Sequence, residues 1–388
     1  MYHELRKRSA DTATAPGRAL KILHVLRAPV GGLFRHVLDL ASGQAARGHA
    51  VGIIADSTTG GGRADAVLAA LAPRLALGVT RMPMSRHVDF SDVAALTTVS
   101  RHAADHDVDV LHGHGAKGGA YARLAGRHRG IRVYTPHGGS LHYRGLSPVG
   151  FPYLVAERAL MRRTDLMLFE SAYGRDTFRA KIATPTRARV VHNGLAAGEF
   201  ATIAPKPNAT DLVFIGELRT LKGVDVLLDA IALVRRERDP VNATIVGEGP
   251  DEAAFRAKVD ALELGAAVRF TGALPAATGF GLGRLLVVPS RAESLPYIVL
   301  EAAAASVPMI VTDVGGIKEI FGPDAGSLVP PDDAPALARA IAAALSEPVT
   351  AQAAAMRLRR RVEQHFSADA MTDAVLAAYG EALAARHS

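Results

Sequence analysis

Two consecutive alternations of short apolar runs with amphipathic stretches dominate this sequence. That pattern restricts a chain to folds built on parallel sheets. A predicted strand over 20–26 is followed by Leu33, Val37, Leu40 and Ala41 on one helical face, then by a strand over 51–54. Strands over 108–111, 132–135 and 166–169, a helix about 116–125, and a last short strand over 190–194 continue the first alternation. The second begins with a strand over 212–215 and the helix face Val224, Leu227, Leu228, Ile231 and Val234. Strands over 243–246, 268–270, 285–288, 309–312 and 327–329 complete it. Between the two lies Pro205-Lys206-Pro207-Asn208, without apolar period and stiffened by proline, which reads as the linker. With 388 residues, two domains of similar size are expected. The fold class is α/β, with two doubly wound parallel-sheet, Rossmann-like domains facing across a cleft. Ligands of such sheets bind beyond the carboxyl ends of the strands.

The domains are expected at 19–204 and 209–350, with helices over 351–388 after them. Residues 1–18 hold Arg6-Lys7-Arg8 with no apolar stretch behind, and are expected to be a disordered basic tail rather than a secretory signal. No apolar run approaches the roughly 20 residues that span a bilayer, so a cytoplasmic protein, soluble or peripheral, is expected. The absence of cysteine excludes disulfides, thiolate nucleophiles and zinc–thiolate sites. Charge is divided unevenly. Residues 1–200 carry 27 Lys and Arg against 15 Asp and Glu, whereas the remainder carries 18 against 23. A basic half points to an anionic partner. Basic residues without interleaved aromatics, at 5% aromatic content, argue against nucleic acid and favour a membrane surface or a phosphorylated substrate. The apolar run over 67–77, near Arg63, Arg74, Arg81 and Arg86, reads equally as an interfacial helix or an internal one.

Several residues stand where chemistry is expected. Glu293 and Glu301 lie eight positions apart, the second inside Ile298, Val299, Leu300 and Ala302 to Ala305. An unpaired carboxylate in such a setting is unfavourable, and hydroxyl groups of a ligand would justify it. Gly31-Gly32 lies between a strand and a helix, where the backbone can approach a phosphate. His112-Gly113-His114 leaves a strand with both imidazoles on one side; no acidic or cysteine partner completes a metal site, and none is expected. His137 stands at another strand exit, before Gly138-Gly139. Arg219 and Lys222 precede a helix, and cations there oppose the helix dipole unless they hold an anion, such as a diphosphate.

Taken in order, these motifs resemble the retaining glycosyltransferases of family 4, which have the GT-B fold. The resemblance runs from about Lys21 to the C-terminus. It is carried by Gly31-Gly32, His112-Gly113-His114, His137, Val190-Val191-His192-Asn193-Gly194, Lys222-Gly223, the Glu-x7-Glu pair Glu293 and Glu301, and Val314-Gly315-Gly316. It implies an acceptor-binding first domain and a nucleotide-sugar-binding second domain, with the last helices crossing back to the first. By resemblance Glu301 takes the ribose hydroxyls, Glu293 meets the transferred sugar, and Arg219 with Lys222 neutralises the diphosphate. The backbone at Gly315 and Gly316 approaches the donor, and Gly31, Gly32, His114 and His137 complete the pocket from the acceptor side. One departure is Glu217, where the family usually has Arg directly after the glycine, here Gly216.

The expected function is transfer of a sugar from a nucleotide-diphosphate donor, UDP favoured, to a lipid-linked or cell-surface glycan such as exopolysaccharide or lipopolysaccharide. His137, Glu293 and Lys222 are the expected catalytic residues. No cofactor or metal is expected, since Lys and Arg can stabilise the leaving group. Two other classes fit the fold: a non-hydrolysing sugar-nucleotide epimerase, and a non-catalytic nucleotide-sugar binder.

Overall fold

A computed structural model describes residues 18–126, 128–138, 150–237 and 240–387. The first seven strands are β1 (Lys21–Leu26), β2 (Ala50–Asp56), β3 (Val79–Met82), β4 (Val110–His114), β5 (Ile131–Thr135), β6 (Leu166–Phe169) and β7 (Ala188–Val190). They form one parallel sheet in the order β3-β2-β1-β4-β5-β6-β7. The other five are β8 (Thr210–Ile215), β9 (Ala243–Val246), β10 (Val268–Phe270), β11 (Gly283–Val288) and β12 (Met309–Val311). Their sheet, also parallel, runs β10-β9-β8-β11-β12. Helices cover both faces, so Ile22, Leu23, Val25, Leu285, Leu286 and Val287 are buried on either side. The two α/β domains of the GT-B architecture are therefore present. Each sheet reverses its winding once, between β1 and β4 and between β8 and β11. Side chains leaving those four strands face the crevice where ligands of such sheets bind.

Most expected elements stand where the hydrophobic pattern placed them. The helix Val224–Glu237 buries Val224, Leu227, Leu228, Ile231 and Val234 as its period requires. Three differences, and the one reading left open, have physical causes. β3 escaped the pattern because it is a four-residue edge strand whose side chains are all half-buried. The run over 67–77 is internal: the helix Gly61–Leu71 packs Leu68 and Leu71, with Leu75 beyond it, against β2. The strand expected over 190–194 ends at Val190, and the strand expected over 327–329 is a single bridge from Val329 to Thr312. Residues of the basic tail below 18 lie outside the described residues.

The passage between domains also differs from the expectation at Pro205–Asn208. Residues 200–206 already belong to the second domain. Ile203 N–H donates to Ala305 O (3.1 Å), Lys206 N–H to Gly281 O (2.9 Å), and Arg359 holds Phe200 O (2.6 Å). The crossing itself is at Leu195, whose N–H donates to Phe366 O (2.8 Å) and whose carbonyl accepts from Ala368 N–H (2.9 Å). The two passages thus pair with each other. A Cβ on Gly194 would stand 2.3 Å from Ser367 C, so only glycine allows this approach. On one side of the crossing, the helix Pro348–His365 packs Leu358 and Val362 into the second domain. On the other, the helix Ala368–His387 lays Met371, Val375 and Tyr379 on the first sheet, beside Ile22, Val110 and Val133. Among the described residues no helix is long and apolar enough to cross a membrane.

Candidate active site between the two domains

On the second-domain side, β8 runs into a loop and the short turn Thr220–Lys222. Gly223 follows in the left-handed region (φ 71°), and a Cβ there would stand 1.9 Å from Pro289 O. This close approach of two strand exits brings Lys222 to the residues after β11. Lys222 Nζ donates to Glu293 Oε1 (2.7 Å), which also accepts from Ser290 Oγ (2.7 Å). Glu293 is buried, 8% exposed, while Lys222 keeps access to the crevice. Gly315 (φ 60°) sits so close beneath Glu293 that a Cβ would stand 1.9 Å from its carbonyl, and Gly316 N–H donates to Ser294 O (2.7 Å). The two glycines therefore support the loop that carries Glu293. Arg219 stands half-exposed, 3.7 Å from Glu217. Its guanidinium is available to an incoming anion.

Glu301 lies in the helix Tyr297–Ala304, and its carboxylate is not unpaired as the sequence suggested. Arg35, from the first-domain helix Gly31–Ala46, hydrogen-bonds to it and to Glu199. The same guanidinium lies 3.3 Å from Asp39 and stacks 4.5 Å above the Tyr297 ring. Burial raises the Asp39 carboxyl to about 6 against the pull of Arg35. Gly32 faces the Tyr297 ring, to which a Cβ would come within 3.5 Å, and Gly31 opens the helix with φ 62°. The Tyr297 hydroxyl is buried there without a hydrogen-bond partner among the described residues. Sequence reasoning missed Arg35. Its signal is an arginine on the inward side of a helix that otherwise buries Phe34, Val37, Leu40 and Ala41.

The first-domain floor is a cluster of histidines. His112 and His114 leave β4 on one side, as their spacing required, with ring centroids 3.9 Å apart. His137 occupies the left-handed region (φ 53°) after β5. Its Nε2 lies 2.9 Å from His114 Nδ1, and its Nδ1 lies 2.7 Å from Glu170 Oε1. On the other side, His114 Nε2 lies 2.9 Å from His24 Nδ1, and His24 Nε2 lies 2.8 Å from the Gln44 amide. His36 Nδ1 lies 2.9 Å from Asn193 Oδ1, and the Asn193 amide donates across the cleft to Leu295 O (2.9 Å). His192 and Glu319 make a second bridge between the domains at 2.8 Å. His24, His36 and Glu170 carry no spacing that marks them in sequence, and Asn193 stands in the motif over 190–194 with no role assigned to it there. They come from four separate elements and meet only in the fold.

Burial lowers these imidazoles, His24 and His36 to about 4 and His112 and His114 well below the usual value, so all four are neutral at physiological pH. Burial alone would raise Glu170, but its contacts with His137, His36 and Ser294 outweigh that and hold it at about 2. Two overlapping triads, His24/His112/His114 and His36/His114/His137, converge closely enough to ligate a cation. Both ring nitrogens of His24, His112, His114 and His137 already face protein partners. A cation would have to replace those bonds.

The arrangement thus sets a lysine–carboxylate pair and a half-exposed arginine opposite a histidine–carboxylate pair, across the switch points of two sheets. Comparison with known proteins places it. The glycosyl transferase 4-like domain matches residues 31–194, and the glycosyl transferases group 1 domain matches 209–347. The chain belongs to the group 1 glycosyltransferase family. Glycogen synthase of Mycobacterium tuberculosis is 29% identical over 231 residues, covering 58% of this chain and 56% of that protein. The α-D-kanosaminyltransferase of Streptomyces kanamyceticus is 27% identical over 272 residues, 65% of this chain and 67% of that one. The O-antigen chain mannosyltransferase C of Escherichia coli is 35% identical over 174 residues, 43% and 45% of the two. The alignments thus span about half to two thirds of these relatives. Among solved structures, sucrose-phosphate synthase from Thermosynechococcus elongatus superposes with a TM-score of 0.78 at 20% identity, over 94% of this chain and all of that one. Anabaena HepE, solved in complex with UDP and glucose, gives 0.76 at 18% identity, over 93% of this chain and all of that one. This family member therefore shares its whole fold with proteins distant in sequence.

Proposed function

We propose that this chain is a retaining glycosyltransferase moving a sugar from a nucleotide-diphosphate donor, UDP favoured, to a lipid-linked or cell-surface glycan such as exopolysaccharide or lipopolysaccharide. The observation that carries the proposal is the Lys222–Glu293 pair at the β8/β11 switch point, facing His137 and Glu170 across the cleft. Lys222 and Arg219 meet the diphosphate, whose charge grows as the glycosidic bond breaks; fixed cations aimed there lower the barrier. Glu293, anchored by Lys222 and Ser290, takes a hydroxyl of the transferred sugar. Glu301 takes the ribose hydroxyls once Arg35 has exchanged away from it. His137 closes the sugar pocket from the first domain, with Gly31 and Gly32 shaping the acceptor side and His114 acting through His137. The acceptor hydroxyl attacks from the face the nucleotide leaves, so no protein nucleophile is needed. UDP is supported by HepE, which was solved with it. The reaction draws its leaving-group stabilisation from side chains and calls for no metal or cofactor.

A peripheral position at the inner face of the cytoplasmic membrane belongs to the same proposal. It is supported by the basic first half and by Val88, Phe90 and Val93, which stand 84%, 96% and 66% exposed beside Arg86. The testing experiment incubates the protein with UDP-sugars and a polyprenyl-diphosphate-linked glycan, and reads acceptor-dependent release of UDP and the anomeric configuration of the product. Release with retained configuration supports the proposal; an inverted product, or no acceptor-dependent release from any nucleotide sugar, refutes it. Binding to anionic vesicles at low salt, reduced in Phe90→Ser, tests the membrane part, which fails if wild type does not bind.

A further inference from the structure

The histidine floor contains one feature beyond any role in the transfer reaction given above: it is continuous. Gln44, His24, His114, His137 and Glu170 form a single file of four hydrogen-bonded gaps of 2.8, 2.9, 2.9 and 2.7 Å. Each of the first three side chains is wholly buried, and both ring nitrogens of His24 and His114 hydrogen-bond along the file. Four gaps need four protons, and three imidazoles carrying one proton each bring three. The end at Glu170 is fixed, because a carboxylate can only accept. If Gln44 presents its oxygen to His24, every imidazole proton points toward Gln44. A bare Nδ1 of His137 then faces the carboxylate, lone pair against lone pair.

The other end resolves this. Oxygen and nitrogen of a glutamine amide are nearly isosteric, so the surrounding network decides its orientation. With the oxygen on His24, Gln44 Nε2 is buried with no partner. Reversing the amide lets Nε2–H donate to His24 Nε2. His24 Nδ1–H then donates to His114, His114 Nδ1–H to His137, and His137 Nδ1–H to Glu170. The reversal also turns the amide oxygen toward the neighbouring Tyr379 hydroxyl. That hydroxyl can accept in turn from His112 Nδ1–H (2.7 Å), whose Nε2 accepts from Thr135 Oγ1 (2.8 Å). One choice at Gln44 thus gives every gap one proton, with no charge added to the buried cluster.

We propose that Gln44, His24 and His114 are positioning residues that act through His137 to hold Glu170 as a carboxylate acceptor for a hydroxyl of the sugar in the cleft. This rests on the reading of the cleft as the sugar-transfer site. Ser294, the neighbour of Glu293, hydrogen-bonds to Glu170 and places it at the sugar end. The relay fixes the His137 ring and its tautomer from Gln44, on the helix Gly31–Ala46, through His24 and His114. A histidine side chain in water favours Nε2–H, so three Nδ1–H tautomers in a row are a distinctive signature.

Two-bond proton–nitrogen correlation spectra of the full chain with 15N-labelled histidine read the tautomers directly and need no substrate. The expected result is a protonated Nδ1 and bare Nε2 on His24, His114 and His137 at neutral pH. Nε2–H on His24 and His114, or an imidazolium at His137, would overturn the relay. As a carboxylate, Gln44→Glu can only accept from His24, so in that form it should turn His24 and His114 to the Nε2–H form. It should also lower kcat at least tenfold with KM nearly unchanged. Reversed tautomers with kcat unchanged would overturn the positioning role. Should Gln44→Glu fail to fold, the wild-type spectrum still decides. The expected tautomers in a protein that transfers no sugar would refute the transferase reading, and with it the sugar role of Glu170, while the relay stands.

Discussion

The guanidinium of Arg35, in the first domain, is hydrogen-bonded to the carboxylate of Glu301, in the second, and closes the cleft over Tyr297. Charge-assisted hydrogen bonds of this kind contribute about 1.5–3 kcal/mol, enough to bias a two-domain chain toward a closed arrangement. Arg35→Ala leaves Glu301, Glu199 and Asp39 facing one another without a cation. Small-angle scattering without nucleotide should then report a larger radius of gyration than wild type. An unchanged profile would mean that the other bridges, Asn193–Leu295 and Glu319 with His192, Ala172 and Tyr173 among them, hold the domains without Arg35.

The Lys222–Glu293 pair makes a kinetic prediction. Lys222→Ala removes a cation proposed to meet the leaving group and should lower kcat about 10²-fold, the usual loss when one preorganised transition-state partner is deleted. Glu293→Gln keeps the shape and the Ser290 hydrogen bond but weakens the hold on a sugar hydroxyl, so KM for the donor should rise as well. Steady-state kinetics of both variants decide this. Equal kcat in Lys222→Ala and wild type would leave leaving-group stabilisation to Arg219 alone.

Stability should fall in mild acid. His24 and His36 titrate near 6.5 when unfolded and near 4 when folded. The unfolded chain therefore takes up protons that the folded chain refuses. The stabilisation is complete above 6.5 and lost as pH falls through that window to 4. At about 1.4 kcal/mol per pH unit, His24 alone accounts for about 3 kcal/mol. Asp39, raised from 3.8 to about 6, runs the other way: its contribution is present below 3.8 and lost as pH rises through 6. It offsets one of the two histidines. Glu170, lowered from 4.5 to about 2, extends the loss below 4.5. Urea midpoints at pH 7.5, 5.5 and 4.5 should decrease in that order, and a flat series would contradict a neutral histidine floor.

Much of this molecule was legible in sequence because its signals are local. Strand periodicity, the helix face from Val224 to Val234 and the Glu-x7-Glu spacing each lie within one short segment. The residues that sequence reasoning missed act only at a distance. Arg35 pairs with a residue 266 positions away, and His24 meets His114 across neighbouring strands. Glu170 is an ordinary-looking acid after an apolar strand until the fold sets it beside His137. The crossing at Gly194 was hidden for a similar reason: the Pro205-Lys206-Pro207 composition suggests a free linker, whereas backbone bonds to Ala305 and Gly281 bind that stretch to the second domain. Glu301 was read as needing a ligand because its protein partner lies in the other domain.

The central claim is that this cleft binds a nucleotide-diphosphate donor through Glu301. It is tested most directly by thermal shifts with UDP, GDP, ADP and dTDP, and with their glucose conjugates, on wild type and Glu301→Ala. A ligand at 100 times its dissociation constant adds roughly 2.7 kcal/mol to stability, a plainly measurable shift. The expected result is stabilisation of wild type by one base, UDP favoured, and its loss in Glu301→Ala. Wild type unmoved by every nucleotide and nucleotide sugar would contradict the claim.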